Sequence, residues 1–412
     1  MKTKLFSILI FFTLLILSFF LWWHHTHPQI EPKKPLPPQI PPISMQQKTF
    51  AQLPGWGSTK VKKSLLAFQI SCKTFLRQDP EQPVGSEYID LKAKDWQPAC
   101  REALSINPIS ETLARKFFQQ WFTPVEFNDK EPVPGLFTGY YMALLHGSKI
   151  KTKEYNVPIY GTPSDLLTIN LELFDPNLKN RRVIGRLVNN QVIPFHTRAE
   201  INKGAINKTA PVLVWVNSRI DRLFLEIQGS GTVQLTDGTN MYLGYAAQNG
   251  APYTAIAKVL IDQGVMTRDN ASMQHIKRYL EAHPDQMDKV LNQNRSFVFF
   301  HALQREEALG AQGVALTPGY SLAVDRKWIP LGAPLWLHTT RPSNQNPDQE
   351  KSLHRLMIAQ DTGGAIRGLV RGDVYWGAGE RATFIAGHMK NRGHYWLLLP
   401  RHTVTWVKRN LS

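Results

Sequence analysis

From about Val133 to Val233 the chain runs in short apolar or alternating stretches, each broken by Gly, Pro, Asn or Asp. That texture is the mark of small antiparallel sheets or barrels, because turn-forming residues close each run before a helix can develop. Val212–Val216, Leu223–Gln228 and Val233–Leu235 are its clearest strands. It returns after Arg295 in Phe297–His301, Ser321–Val324, Leu335–His338, Leu356–Ala359 and Tyr395–Leu399. Between the two regions, Tyr253–Asp262 and Met273–Ala282 have helical spacing and stop at Gly264 and Pro284. Lys60–Leu76, Cys100–Leu104 and Ile109–Phe122 read as short amphipathic helices, the last begun by Ser110 with Glu111 in its first turn. Strands on both sides of a helical block imply a mainly β protein with two β domains, the second inserted into the first. A chain of 412 residues fits two domains.

The N-terminus sets where this body resides. Lys2 and Lys4 precede an apolar run from Leu5 to Trp23 that ends in paired tryptophans. As a helix it would rise about 28 Å, close to the roughly 30 Å of a bilayer's hydrocarbon. No small-residue cut site follows, and the first cysteine is Cys72, so lipid attachment after cleavage is excluded. We therefore expect residues 1–27 to be an uncleaved transmembrane signal-anchor, with the lysines cytoplasmic and the rest exported. His24, His25 and His27 read as a polar stop rather than a metal tract, and no metal is expected elsewhere. Residues 28–45 follow as a proline-rich, semi-rigid linker.

The only two cysteines, Cys72 and Cys100, are candidates for a disulfide in an oxidising compartment, with two buried thiols as the alternative. The formal charge of +16 asks for a polyanionic neighbour. Export argues against nucleic acid.

Most catalytic signatures are missing. Gly229-Ser230-Gly231 lacks the third glycine of a dinucleotide loop and is expected between strands. There is no phosphate-cradling loop, zinc helix motif or serine elbow, and no cofactor is expected. Asp361-Thr362-Gly363 is the only triplet of its kind, whereas an aspartic protease faces two against each other. The same segment carries chemistry of another sort. A strand delivers Asp361 into a glycine-rich turn, and a second run sets Asp373 between Gly372 and the pair Tyr375-Trp376. Carboxylates among aromatic faces and glycine turns are candidates for a raised pKa and general acid work, and flat rings of this kind stack on sugars. As an alternative, both aspartates cap turns.

Gly135–Tyr141, Val157–Tyr160, Phe224–Gly231, Gly244–Tyr253, Asn294–Phe300, Pro318–Asp325, Ile329–Gly332 and the stretch from Asp361 to Asp373 recur here in order. Together they resemble the membrane-bound lytic murein transglycosylase A family with its C-terminal three-aspartate domain. The resemblance implies a double-psi β-barrel built from two chain segments around an inserted, barrel-like second β domain, with a sugar groove between them. The expected division is 46–140 for the first part of the barrel and its helices, and 141–292 for the insert. Residues 293–400 would complete the barrel and 401–412 form a tail. It implies cleavage of the β-1,4 bond between N-acetylmuramic acid and N-acetylglucosamine, leaving 1,6-anhydro ends. The family's catalytic aspartate falls on Asp373, with Asp361 supporting; Asp361 and Asp325 match the domain's other two aspartates. Thr138, Tyr140, Gln228 and Ser230 are expected to line the groove opposite Asp373, with Tyr375 and Trp376 on the sugar. Strand alternation lets only one of Tyr140 and Tyr141 face glycan, and Tyr140 is the choice. Family members are typically outer-membrane lipoproteins; this chain, with no lipid-accepting cysteine, is expected on the periplasmic face of the inner membrane. Its partners would be glycan strands, the membrane and the cell-wall synthesis machinery. Murein, anionic through its peptide carboxylates, meets the charge. The competing reading is a non-catalytic murein-binding module on the same barrel.

Overall fold

The computed structural model describes residues 44–403, apart from 130, 134, 179, 180, 268, 269, 305 and 345. The expected anchor, its histidines and the prolines lie outside the described residues, as do 404–412 of the tail. Among the described residues no helix is long and apolar enough to cross a membrane.

The chain opens with β1 (Ser44–Gln47), whose first two residues fall within the expected linker, then α1 (Lys62–Phe75), α2 (Ala93–Ser105) and α3 (Glu111–Trp121). Strands β2 (Phe122–Asp129), β3 (Glu131–Pro132), β4 (Gly135–Ser148), β5 (Val157–Tyr160), β6 (Leu167–Asn170), β7 (Arg182–Val188) and β8 (Gln191–Pro194) follow. Next come α4 (Arg198–Asn202), β9 (Val212–Val216), α5 (Arg219–Gln228), β10 (Ser230–Leu235) and β11 (Asn240–Gln248). Helices α6 (Ile256–Asp262), α7 (Met273–Ala282) and α8 (Pro284–Leu291) precede β12 (Val298–Leu303), β13 (Ser321–Val324), β14 (Pro334–Pro342), β15 (Glu350–Asp361) and β16 (Arg371–Ala378). The described chain closes with α9 (Glu380–His388) and β17 (Lys390–Pro400).

Six strands pair in a closed ring, β17–β14–β15–β13–β16–β4 and back to β17. Two of those pairings, β13 with β15 and β16 with β4, are parallel. Parallel neighbours require long crossovers, so the ring draws strands from both ends of the chain. β4 is long enough to leave the ring: its second half pairs with β10 and β9. From there β11 and β12 extend one flank and β5 the other, and a bridge from Gly161 to Phe300 brings the two flanks together. Tyr141, Leu145, Val214, Val233 and Phe300 fill the space they enclose.

The helices buttress the ring. Glu111 at the start of α3 accepts from the Val61 and Lys62 amides, capping α1 from outside. Cys72 of α1 and Cys100 of α2 form a disulfide, and Phe75 stacks on Trp96 with centroids 5.2 Å apart. One expected strand is corrected. Leu223–Gln228 belongs to helix α5, capped by Ser218, whose hydroxyl accepts from the Asp221 amide at 3.1 Å. The glycine run after it does not sit between strands: Gly229 ends the helix at φ +77 and opens β10. A left-handed residue at a helix C-terminus favours glycine because it carries no Cβ.

Candidate active site

Register, read strand by strand, places the aspartates. Thr138 on β4 lies opposite Asp373 on β16, Asp373 opposite Ala323 on β13, and Ala323 opposite Asp361 on β15. Four side chains thus form one row across four neighbouring strands. One step along, Tyr140 pairs with Tyr375 on the same face. A β-bulge at Gln360 precedes Asp361, since Leu322 pairs with Ala359 but Ala323 with Asp361. Bulges re-aim the side chain that follows. This one is pinned: the Gln360 amide donates to the Ala67 carbonyl at 3.0 Å and the Ser71 hydroxyl at 2.9 Å, both on α1.

Asp373 keeps some accessible surface, yet burial pushes its carboxyl above the ordinary carboxylate range, against the pull of the Arg371 guanidinium and the Thr138 hydroxyl. Thr138 Oγ1 donates to Asp373 Oδ1 at 2.6 Å, and Arg371 Nη2 donates to Thr138 Oγ1 at 2.8 Å. A cation therefore orients the hydroxyl that orients the acid. Sequence reasoning missed Arg371. The signal was present, since it lies two residues before Asp373 and so on the same strand face.

Asp361 is fully engaged. Its Oδ1 accepts from the Thr362 and Ala311 amides at 2.8 and 2.9 Å, and its Oδ2 accepts from the Tyr140 hydroxyl at 2.8 Å. Burial raises its carboxyl too, opposed by the Tyr140 hydroxyl and those two amides. The small side chain of Ala323 leaves room for the Tyr140 ring to reach across. Asp325, 5% exposed, accepts from the Gly368 and Lys327 amides and sits 3.6 Å from Arg367, fixing the loop after Asp361.

The structure separates other residues that the sequence groups together. Tyr140 and Tyr141 do alternate, but both are 7% exposed: Tyr140 packs on Tyr375 beside Asp361, and Tyr141 enters the other core. Gln228, at the end of α5, accepts from the Tyr141 amide at 2.9 Å, and Ser230 is buried at the start of β10. Trp376 points to the face away from Tyr375, as the strand period demands. It packs against the Gly139 backbone, where a Cβ would come within 2.6 Å of its ring nitrogen, and Arg341 lies 5.6 Å over its ring. No group of three or more His, Cys, Asp or Glu among the described residues is placed to hold a metal.

Residues 136–301 match the family model described as the MltA specific insert domain, and residues 320–399 match that described as the 3D domain. Membrane-bound lytic murein transglycosylase A of Escherichia coli strain K12 is 33% identical over 264 residues, 64% of this chain and 65% of that protein. The chain is thus matched over 65% of the length of that curated relative. MltA from Neisseria gonorrhoeae, in its monoclinic crystal form, superposes with a TM-score of 0.71 at 32% identity, covering 87% of this chain and 93% of that one. E. coli MltA with bound chitohexaose gives a TM-score of 0.61 at 27% identity, over 87% of this chain and 94% of that one.

Proposed function

The chain belongs to the membrane-bound lytic murein transglycosylase A family, and we propose that it is a peptidoglycan lyase using Asp373 as its single acid and base. It cleaves the β-1,4 bond between N-acetylmuramic acid and N-acetylglucosamine and leaves a 1,6-anhydro end. The carrying observation is the asymmetry between the two aspartates. Burial raises both carboxyls, but Asp361 has both oxygens held by three donors, whereas Asp373 has one hydroxyl donor, on Oδ1. Only Asp373 is arranged to gain and lose a proton.

Two strand spacings separate Asp361 from Asp373, about 10 Å at the backbone. A hydrolase needs a second free carboxylate on the far face to attack or to activate water. Non-hydrolytic cleavage needs none, because the sugar's own 6-hydroxyl is tethered beside the anomeric carbon. Protonated Asp373 gives its proton to the glycosidic oxygen as the bond from C1 breaks. The resulting carboxylate then takes the proton of the 6-hydroxyl as that oxygen bonds to C1. Asp373 ends protonated, ready for the next turn. The Arg371–Thr138 relay orients it throughout, and stabilises it during the interval when it is charged. Asp361 holds Tyr140 and the glycine turn in place. The glycan seen on the E. coli relative supports a sugar-strand substrate. The closed six-stranded ring with two parallel pairs supports reading it as the double-psi barrel, with the β4–β12 portion inserted.

The test is mass spectrometry of muropeptides released from purified murein. The wild type should yield ends one water lighter than hydrolysis gives, and Asp373→Asn should bind murein and release nothing. Hydrolytic ends would overturn the mechanism, and a wild type that binds without releasing product would make the protein a binding module. An anchor at Leu5–Trp23 would hold this activity at the periplasmic face of the inner membrane; its test is an intact mass that includes Met1.

A further inference from the structure

Strands β6, β7 and β8 form a separate three-stranded antiparallel sheet. Its register sorts the side chains cleanly. Leu167 pairs with Gly185 and Ile169 with Val183, while Leu187 pairs with Val192 and Gly185 with Pro194. All seven share one face, and none is polar. The opposite face is mixed: Ile184, Val188 and Ile193 are half-buried among Thr168, Asn170, Arg182, Arg186 and Gln191, and Ile184 packs against Gly250. An antiparallel sheet ordinarily turns its apolar face to the core and its polar face to water. Here the face turned away from the body is apolar as well. Val183 is 45% exposed, Leu187 60% and Val192 44%; in the connection from β6 to β7, Leu173 is 81% exposed and Phe174 77%.

We propose that this apolar face and the Leu173–Phe174 turn rest on an anionic lipid bilayer. Three features favour lipid over a second copy of the chain. The face spans three strand spacings and roughly 15–20 Å along the strands, so it covers about 250 Å². That is far below the ~800 Å² per partner that a stable interface buries, but a shallow insertion into lipid needs no such area. Exposed Arg181 and Arg182 close the connection whose turn is flanked by Glu172 and Asp175, and the chain as a whole carries a charge of +16, which an anionic surface attracts. The chain ahead of Ser44 holds the expected anchor Leu5–Trp23 and seven prolines between Pro28 and Pro42. Extended, fifteen residues of that composition would span roughly 50 Å, so a chain anchored by such a segment would meet the bilayer at high effective concentration.

The full chain has only two cysteines, both bonded, so an added thiol labels alone. Leu187→Cys and, as control, exposed Lys351→Cys would carry an environment-sensitive dye in vesicles of phosphatidylethanolamine and phosphatidylglycerol. Brominated acyl chains should quench the dye at 187 and leave that at 351 unchanged, and adding Val192→Asp should abolish the quenching. Equal response at both positions would overturn the proposal. So would a dye at 187 already shielded in detergent micelles holding a protein dimer, which would assign the face to a second copy. Murein digestion by Leu187→Cys in detergent should match the wild type, so the two proposals fail separately.

Discussion

A carboxyl whose proton is held more tightly by burial would serve the proposed acid step and burden the fold. Between the ordinary value of 3.8 and its raised folded value, Asp373 holds more proton in the native state than in the unfolded chain. Its contribution to stability is therefore complete below 3.8 and is lost as pH rises through the folded value. Asp373→Asn removes that loss while keeping the shape that Thr138 bonds. At neutral pH the inactive variant should have the higher urea midpoint, and the advantage should vanish in acid below the ordinary value. On the proposed mechanism the same titration acts on cleavage from the other side: the acid step requires the proton, so the rate at low substrate should fall as pH rises through the folded value. Rates rising over that window would place the acid elsewhere. Tyr140 is a second residue with a definite role. Tyr140→Phe strips Asp361 Oδ2 of its donor and should cost about 1–3 kcal/mol. Alanine at either Tyr140 or Tyr141 should cost roughly 3–5 kcal/mol in chemical denaturation, since both rings are buried. Only the phenylalanine substitution isolates the bond to Asp361; a Tyr140→Phe variant as stable as the wild type would show that water replaces the hydroxyl.

Elements were legible where one rule decided them. Ser321–Val324 could be read from its flanking turns, and Ser110 marked the start of α3. Leu223–Gln228 defeats the strand reading because Leu223, Leu225 and Ile227 alternate over too short a window. Extended upstream, Ile220, Leu223 and Phe224 take helical spacing behind the Ser218 cap, and the helix appears. What no local pattern reveals is why Arg222 and Glu226 sit buried in that helix. Arg198, from a different segment, donates from both terminal guanidinium nitrogens to Glu226, and from Nε to the Asn294 carbonyl at 2.8 Å. Glu226→Gln leaves that charge uncompensated and should destabilise by about 3–5 kcal/mol, measured by urea unfolding. The disulfide makes an independent element-level contribution. Closing a separation of 28 residues, it should add roughly 3–4 kcal/mol through the unfolded chain. Reductant should lower the wild-type midpoint and leave the Cys72→Ser/Cys100→Ser variant unchanged.

At the scale of the molecule, the ordered motifs were legible because each lies where glycine and aromatic residues have a backbone task. The row they build was not, because Thr138, Asp373, Ala323 and Asp361 come from four strands and meet only through ring closure. Sequence shows which residues cluster along the chain. It does not show that Tyr140 reaches across two strands, or that Trp376 turns away. Charge is the one whole-molecule property that sequence states outright, and it yields a separable prediction. If the +16 recognises the peptide carboxylates of murein, that attraction acts through solvent at the groove rim and is screened by salt. The Debye length falls from about 10 Å at 0.1 M to about 3 Å at 1 M. Binding of intact murein sacculi should therefore weaken steeply across that range. Binding of an uncharged chitooligosaccharide, which engages only stacking and hydrogen bonds, should barely change. The pair of titrations isolates charge from sugar recognition, because the glycan backbone is common to both ligands. Sacculus binding that is as insensitive to salt as chitooligosaccharide binding would mean that the basic surface serves another anion.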